Sequence, residues 1–201
     1  MNLLIDLVPN LIEIDGIEYK INSDFRTSIL FELLMQDVEI SDDEKAILAL
    51  DLYYPICPNN QEMALEKLLW FYKCGKEIED TNSKGIGGGN AEQIYSFEYD
   101  DEYIYSAFLD QYGVDLQDIE YLHWWKFKAM FKALKEDNEI VKIMGYRALD
   151  LSKIDDKNQK EHYRKLKQMY KIPDAISQSD KEKLDKINEI LLTGGDISEL
   201  L

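Results

Sequence analysis

Two cysteines and two histidines in 201 residues leave little material for thiol or metal chemistry. Cys57 and Cys74 are too far apart for a CxxC pair, and two distant cysteines with His123 and His162 make a poor closed zinc site. The simplest reading is two core or half-exposed thiols in a reducing cytoplasm. Basic residues are also scarce, with 23 Lys and Arg against 40 Asp and Glu, a net charge of −17. That field opposes nonspecific nucleic-acid binding and docking on an anionic membrane. No apolar run approaches the ~20 residues that a bilayer span requires. The opening Met1-Asn2-Leu3-Leu4-Ile5-Asp6 has no basic n-region and puts an Asp in its apolar run, so no signal peptide is expected. No repeat period of about 20–50 residues is present.

What remains is ordinary for a globular protein, with 45% apolar residues. The acidity is uneven. Residues 1–99 hold 19 acidic and 7 basic side chains, whereas residues 100–172 hold 14 and 13, and residues 173–201 hold 7 and 3. This predicts a two-part organisation: residues 1–75, a linker at 76–93, an aromatic-rich module at 94–173, and an acidic tail at 174–201.

The first part reads as a β-hairpin followed by helices. Asp15-Gly16 is a hairpin turn signal, and Ile17-Glu18-Tyr19-Lys20-Ile21 alternates cleanly after it. A lone hairpin needs a helix to cover it. Ser23 or Asp24 can cap a helix with the stripe Phe25, Ile29, Leu30, Leu33 and Leu34. Ser41-Asp42-Asp43-Glu44 is a capping box opening a helix through Ile47, Leu48, Leu50 and Leu52. A third helix carries Leu65, Leu68, Leu69 and Phe71 and stops at Gly75.

Residues 76–93 are polar, charged and glycine-rich around Gly85-Ile86-Gly87-Gly88-Gly89-Asn90, the composition of a mobile linker. A phosphate cradle is rejected. Lys84 precedes the glycines, where a P-loop needs Lys after them, and Asn90 stands where the dinucleotide pattern needs Gly.

Four helices are expected next, over 101–112, 118–134, 138–149 and 155–170. In the second, Trp124, Phe127, Phe131 and Leu134 share one face, which reads as core. Trp125 then points elsewhere, beside Lys128 and Lys132, to pack on another element, stack on a cation, or anchor a partner. Lys126, Lys128, Lys132, Lys135, Lys142, Arg147 and Lys153 form the one sizeable basic collection, which superficially resembles a nucleic-acid surface; the overall field argues against that use. His123 and His162 read as satisfied structural histidines. After Pro173, Ser179-Asp180-Lys181-Glu182 is a second capping box, opening a segment with Leu184, Ile187, Leu191 and Leu192 on one face. Too short to stand alone, it either docks back or folds on a partner.

Four pieces, Tyr95-Ser96-Phe97-Glu98-Tyr99-Asp100, Leu122-His123-Trp124-Trp125-Lys126-Phe127, Met144-Gly145-Tyr146-Arg147 and Leu151-Ser152-Lys153-Ile154, carry a resemblance. Over roughly residues 10–172 the chain resembles a family of siphophage proteins called bacteriophage gene product fifteen. The resemblance implies a tail assembly chaperone acting in the host bacterial cytoplasm and absent from the mature virion. It also implies partners: the helical tape measure protein, the major tail protein and a second tail assembly chaperone. It transfers no catalytic residue and no cofactor.

The fold expected is mainly α (α+β): a small N-terminal hairpin packed on helices, then a helical module. The expected partner-binding residues are Trp125, Lys128, Lys132, Leu184, Ile187 and Leu191. No enzyme activity, cofactor or metal is expected. Two rival functions are a structural virion component, such as a connector or tail-completion protein, and a thiol-dependent hydrolase using Cys57 or Cys74 with His123.

Overall fold

The computed structural model describes residues 2–76 and 93–173. The expected linker, apart from its end residues Lys76 and Gln93, and the acidic tail, with Leu184, Ile187 and Leu191, lie outside the described residues.

The hairpin pairs β1 (Leu11–Ile14) antiparallel with β2 (Ile17–Lys20), in the register Ile12↔Tyr19 and Ile14↔Ile17. Asp15 and Gly16 both have positive φ, 52° and 76°, the backbone a two-residue turn of this hand demands. Ile12 and Ile14 are buried while Leu11 and Glu13 face out, so one side of the hairpin closes on helix. Seven α-helices follow among the described residues: α1 (Phe25–Gln36), α2 (Asp42–Tyr53), α3 (Gln61–Tyr72), α4 (Asp101–Tyr112), α5 (Trp124–Lys132), α6 (Glu139–Ala148) and α7 (Lys157–Met169), with a 3-10 turn at Leu151–Lys153. The protein is mainly α with one small hairpin. β1 lies on α3, α1 packs on α2 and α5, and α4 and α7 both pack on α6.

Local chemistry sets the helix starts. The Ser41 box forms as expected, Ser41 accepting from the Glu44 N–H while Glu44 accepts from the Ser41 N–H. Asp24 caps α1 and Asp156 caps α7. The stripes are less regular than apolar spacing suggests. Leu30, Ile47 and Leu48 are exposed at 53%, 58% and 43%, whereas Ser28 is buried. A core face counted from apolar residues alone passes over Ser28, whose hydroxyl accepts from Tyr53 at 2.7 Å.

The aromatic helix is shorter than expected, and its start is a correction. It begins at Trp124 because Asp24 and His123 form an antiparallel bridge that keeps the preceding chain extended. The Phe25 N–H donates to the Leu122 carbonyl at 2.9 Å, and the Trp124 N–H to the Ser23 carbonyl at 2.8 Å. The Arg26 guanidinium occupies the carbonyls of Leu116 and Ile119, both at 2.8 Å. Those carbonyls are committed across the fold instead of along a helix.

The same contacts bear on the two-part organisation. Phe127 stacks between Phe25 of α1 and Phe108 of α4, with both ring centroids 4.9 Å away. One buried cluster runs from Ile12 and Ile14 through Phe71 and Trp124 to Ile140. The composition break at 76–93 therefore does not divide the core, because α5 serves both sides of it.

Candidate functional site

His123 caps α5, its Nδ1 accepting from the Trp125 N–H at 3.0 Å. The ring proton therefore belongs to Nε2, which donates to the Pro9 carbonyl at 3.1 Å. Burial pushes the imidazole below its ordinary 6.5, against the Pro9 hydrogen bond. Both nitrogens are committed, so neither is open to serve as a base toward a thiol. Burial also pushes the Cys74 thiol up, despite the nearby cations of Lys128, Lys132 and Lys76. A raised thiol is the opposite of an activated nucleophile. Cys57 is exposed, with its Sγ over the Pro58 carbonyl. Among the described residues, no group of three or more His, Cys, Asp or Glu is placed to hold a metal ion.

Trp125 is the clearest reassignment among the expected partner residues. It is 1% exposed, its indole N–H donates to the Phe71 carbonyl at 2.7 Å, and its ring meets Trp70 at 5.5 Å. Of the three roles open to it, packing on another element is the one the fold uses. The neighbouring Trp124 donates to the Tyr72 carbonyl at 2.8 Å. Helix C-termini leave carbonyls without intrahelical partners, and here two indoles from α5 satisfy the last two carbonyls of α3.

Lys128 also turns inward. Its ammonium lies 5.1 Å from the Trp124 ring and 5.6 Å from the Tyr95 ring, and donates to the Tyr95 hydroxyl at 3.3 Å. Burial lowers its pKa, while the charge of Glu32 acts the other way. Burial raises the Glu32 carboxyl, against the hydrogen bond from the Tyr72 hydroxyl at 2.5 Å. Glu32, Tyr72, Tyr95 and Lys128 thus form a half-buried polar network joining α1, α3, α5 and the 93–100 segment. Lys132 stays exposed at the last turn of α5. Of the three expected contacts within the described residues, Lys132 alone is exposed.

Arg147, expected within a basic surface, is buried at 6% exposure. Its Nη1 and Nη2 donate to the two oxygens of Asp100 at 2.5 and 2.9 Å. Its Nε donates to the Tyr170 carbonyl at 2.6 Å, and Nη1 also to the Ile94 carbonyl at 3.1 Å. This is a fully partnered bidentate pair. The Asp100 carboxylate also takes the Ser96 N–H, which is why α4 has no side-chain cap from it. Sequence reasoning left Asp100 just before the helix expected over 101–112 and counted Arg147 in the one sizeable basic collection. The one signal for the pair was that each belongs to a stretch carrying the family resemblance.

Arg147 fixes the end of α7 beside an open groove of about 520 Å³ between α6, the 3-10 turn and α7. Val141, Tyr146, Leu149, Ile154 and Tyr163 give it apolar walls, with Glu136 and Lys142 adding one charge of each sign. A Cβ at Gly145 would meet nothing within 4 Å, so the middle of α6 is uncovered there. No residue of α7 is buried, although its Tyr163 and Leu166 are half-buried. What holds α7 is chiefly polar: Lys167 donates to the Arg147 and Leu149 carbonyls at 2.8 and 3.3 Å, and Arg147 grips Tyr170. An amphipathic helix held this way presents an incomplete apolar layer, the form that helix-in-groove recognition uses.

No curated protein and no solved structure is similar enough to count as a match. The sequence does match the family described as Bacteriophage Gp15 protein over residues 4–172, a span that includes the hairpin, all seven helices and the groove. The chain belongs to that bacteriophage family.

Proposed function

We propose that this protein is a tail assembly chaperone that holds an amphipathic helix of the tape measure protein in the groove between α6 and α7. The single observation that carries the reading is that groove: open, walled by Val141, Tyr146, Leu149, Ile154 and Tyr163, and bounded by a helix with no buried residue. A long helical protein awaiting assembly exposes apolar stripes that must be covered to stay soluble. A binder with a net charge of −17 keeps such a complex dispersed. Family membership supports a phage role, and the groove supports binding in preference to chemistry. Lys132, the expected tail contacts Leu184, Ile187 and Leu191, and the further partners (the major tail protein and a second chaperone) belong to this proposal as secondary contacts. The protein would work in the host cytoplasm and leave before the virion is complete.

Co-expression tests the reading. A tape measure segment that aggregates alone should stay soluble and co-purify with this protein, and the complex should survive moderate salt, since screening weakens exposed charge pairs but not apolar burial. Recovery of the protein in stoichiometric amount from purified particles, with no effect on tape measure solubility, would favour a virion component instead.

A further inference from the structure

We infer that copies of this chain associate through two unlike surfaces, the exposed face of α2 on one copy lying antiparallel against the exposed face of α7 on another. The contact uses the side of α7 turned away from the groove, so it is independent of the chaperone reading.

Ala49, Leu50 and Tyr53 seat α2 in the core, and its opposite face shows Asp43, Glu44, Ile47, Leu48 and Asp51 to solvent. Glu44, Ile47, Leu48 and Asp51 fall at i, i+3, i+4 and i+7, the spacing of a face that meets another element. Two apolar side chains thus lie exposed between carboxylates. The one cation of α2, Lys45, is turned toward α1, where its ammonium donates to the Met35 carbonyl at 3.1 Å. The solvent face of α2 is therefore apolar and acidic.

α7 is the opposite. In a chain of net charge −17, its sequence KNQKEHYRKLKQM holds five basic residues and one acidic. Lys157, Arg164 and Lys165 are exposed, and the acidic residue, Glu161, pairs with Arg164. Gln159 and Tyr163 line the groove. Lys165 follows Tyr163 by two residues, about 200° round the helix, and so faces away from it. Asp43, Asp51, Lys157 and Lys165 make no ion pair within the chain. Each face is left uncompensated, and its complement stands on the same chain, which names a second copy as the occupant.

The spacings match. Asp43 and Asp51 are eight residues apart, as are Lys157 and Lys165, about 12 Å along each helix. An antiparallel pair sets Asp51 against Lys157 and Asp43 against Lys165, the orientation that the helix dipoles favour. Ile47 and Leu48 then lie between, over the aliphatic stems of the α7 cations. Pairing α2 with α2, or α7 with α7, would set like charges together, so unlike faces are selected. The net charge does not forbid this. At ~0.15 M salt the Debye length is about 8 Å, which screens charges across the molecule but not pairs in contact.

Sedimentation velocity of the full chain at ~0.15 M salt is the test. The parent should associate as its concentration rises. Asp43→Lys with Asp51→Lys makes both faces basic, and Lys157→Glu with Lys165→Glu makes both acidic. Either variant alone should associate at least about tenfold more weakly than the parent. An equimolar mixture of the two should recover association, because each face again meets its opposite. All four side chains are exposed, so both variants should keep the circular dichroism and melting temperature of the parent. Should either fail to fold, the neutral changes Asp51→Asn and Lys165→Gln must each weaken association instead. A parent that stays monomeric up to ~1 mM would overturn the inference, as would a mixture no better than its components. Weakening by the α7 changes alone, with the α2 variant associating like the parent, would assign α7 a different acidic surface and overturn it as well.

Discussion

The indole N–H of Trp125 reaches the carbonyl of Phe71 at 2.7 Å, so the first turn of α5 caps the last turn of α3. The contact is possible because residue 75 is glycine. Gly75 has a φ of +71°, and a Cβ on it would lie 2.8 Å from the Trp125 ring. Trp125→Ala should therefore destabilise the protein by about 3–5 kcal/mol, as expected for a buried aromatic. Gly75→Ala should cost more than about 1 kcal/mol from backbone strain, before any clash is counted. Chemical denaturation of both variants checks this. A Trp125→Ala protein of wild-type stability would return that side chain to the surface.

Arg147→Met should cost about 3–5 kcal/mol, because it leaves the Asp100 carboxylate buried without its partner. Arg147→Lys should not restore stability, since an ammonium cannot serve both carboxylate oxygens and the carbonyls of Ile94 and Tyr170 together. Replacing Asp100 and Arg147 jointly with Asn and Met should cost less than the two single changes added. Thermal unfolding of the four proteins in one double-mutant cycle gives the coupling directly.

His123 predicts an acid-sensitive term. Its imidazole is held below the ordinary 6.5, so on acidification the unfolded chain takes up this proton first. Stability from this group is full above pH 6.5, falls as pH drops below 6.5, and levels off once pH passes below the depressed folded value. His123→Asn keeps a side-chain acceptor for the Trp125 N–H and removes the titration. The expected result is a shallower loss of stability for the variant below pH 6.5. Parallel curves for the two proteins would show that His123 contributes nothing to the slope.

Much of the fold was legible because local signals agreed with the final packing. Asp15-Gly16 marked the hairpin, the Ser41–Glu44 box marked α2, and the spacing of Trp124, Phe127, Phe131 and Leu134 marked a core face. The failures share one cause, which is partners distant in sequence. His123 ends an extended bridge to Asp24, so no local pattern could place the start of α5 at Trp124. Lys128 and Arg147 looked like surface cations because their ring and carboxylate partners, Tyr95 and Asp100, lie 33 and 47 residues away. The candidate groove was hidden for the same reason. α7 is polar enough to read as a solvated helix, and only its seating on α6 reveals an unfinished apolar layer.

The measurement that bears most directly on the account is the affinity of a helical tape measure segment for the full chain and for its Gly145→Arg variant. Gly145 lines the groove and a Cβ there would meet nothing within 4 Å, so the variant should fold as the parent does. Calorimetric titration should show binding to the parent and a loss of at least about tenfold in the variant, or about 1.4 kcal/mol, at an unchanged melting temperature. Equal affinity for the two proteins would place the tape measure elsewhere and contradict the groove as its site.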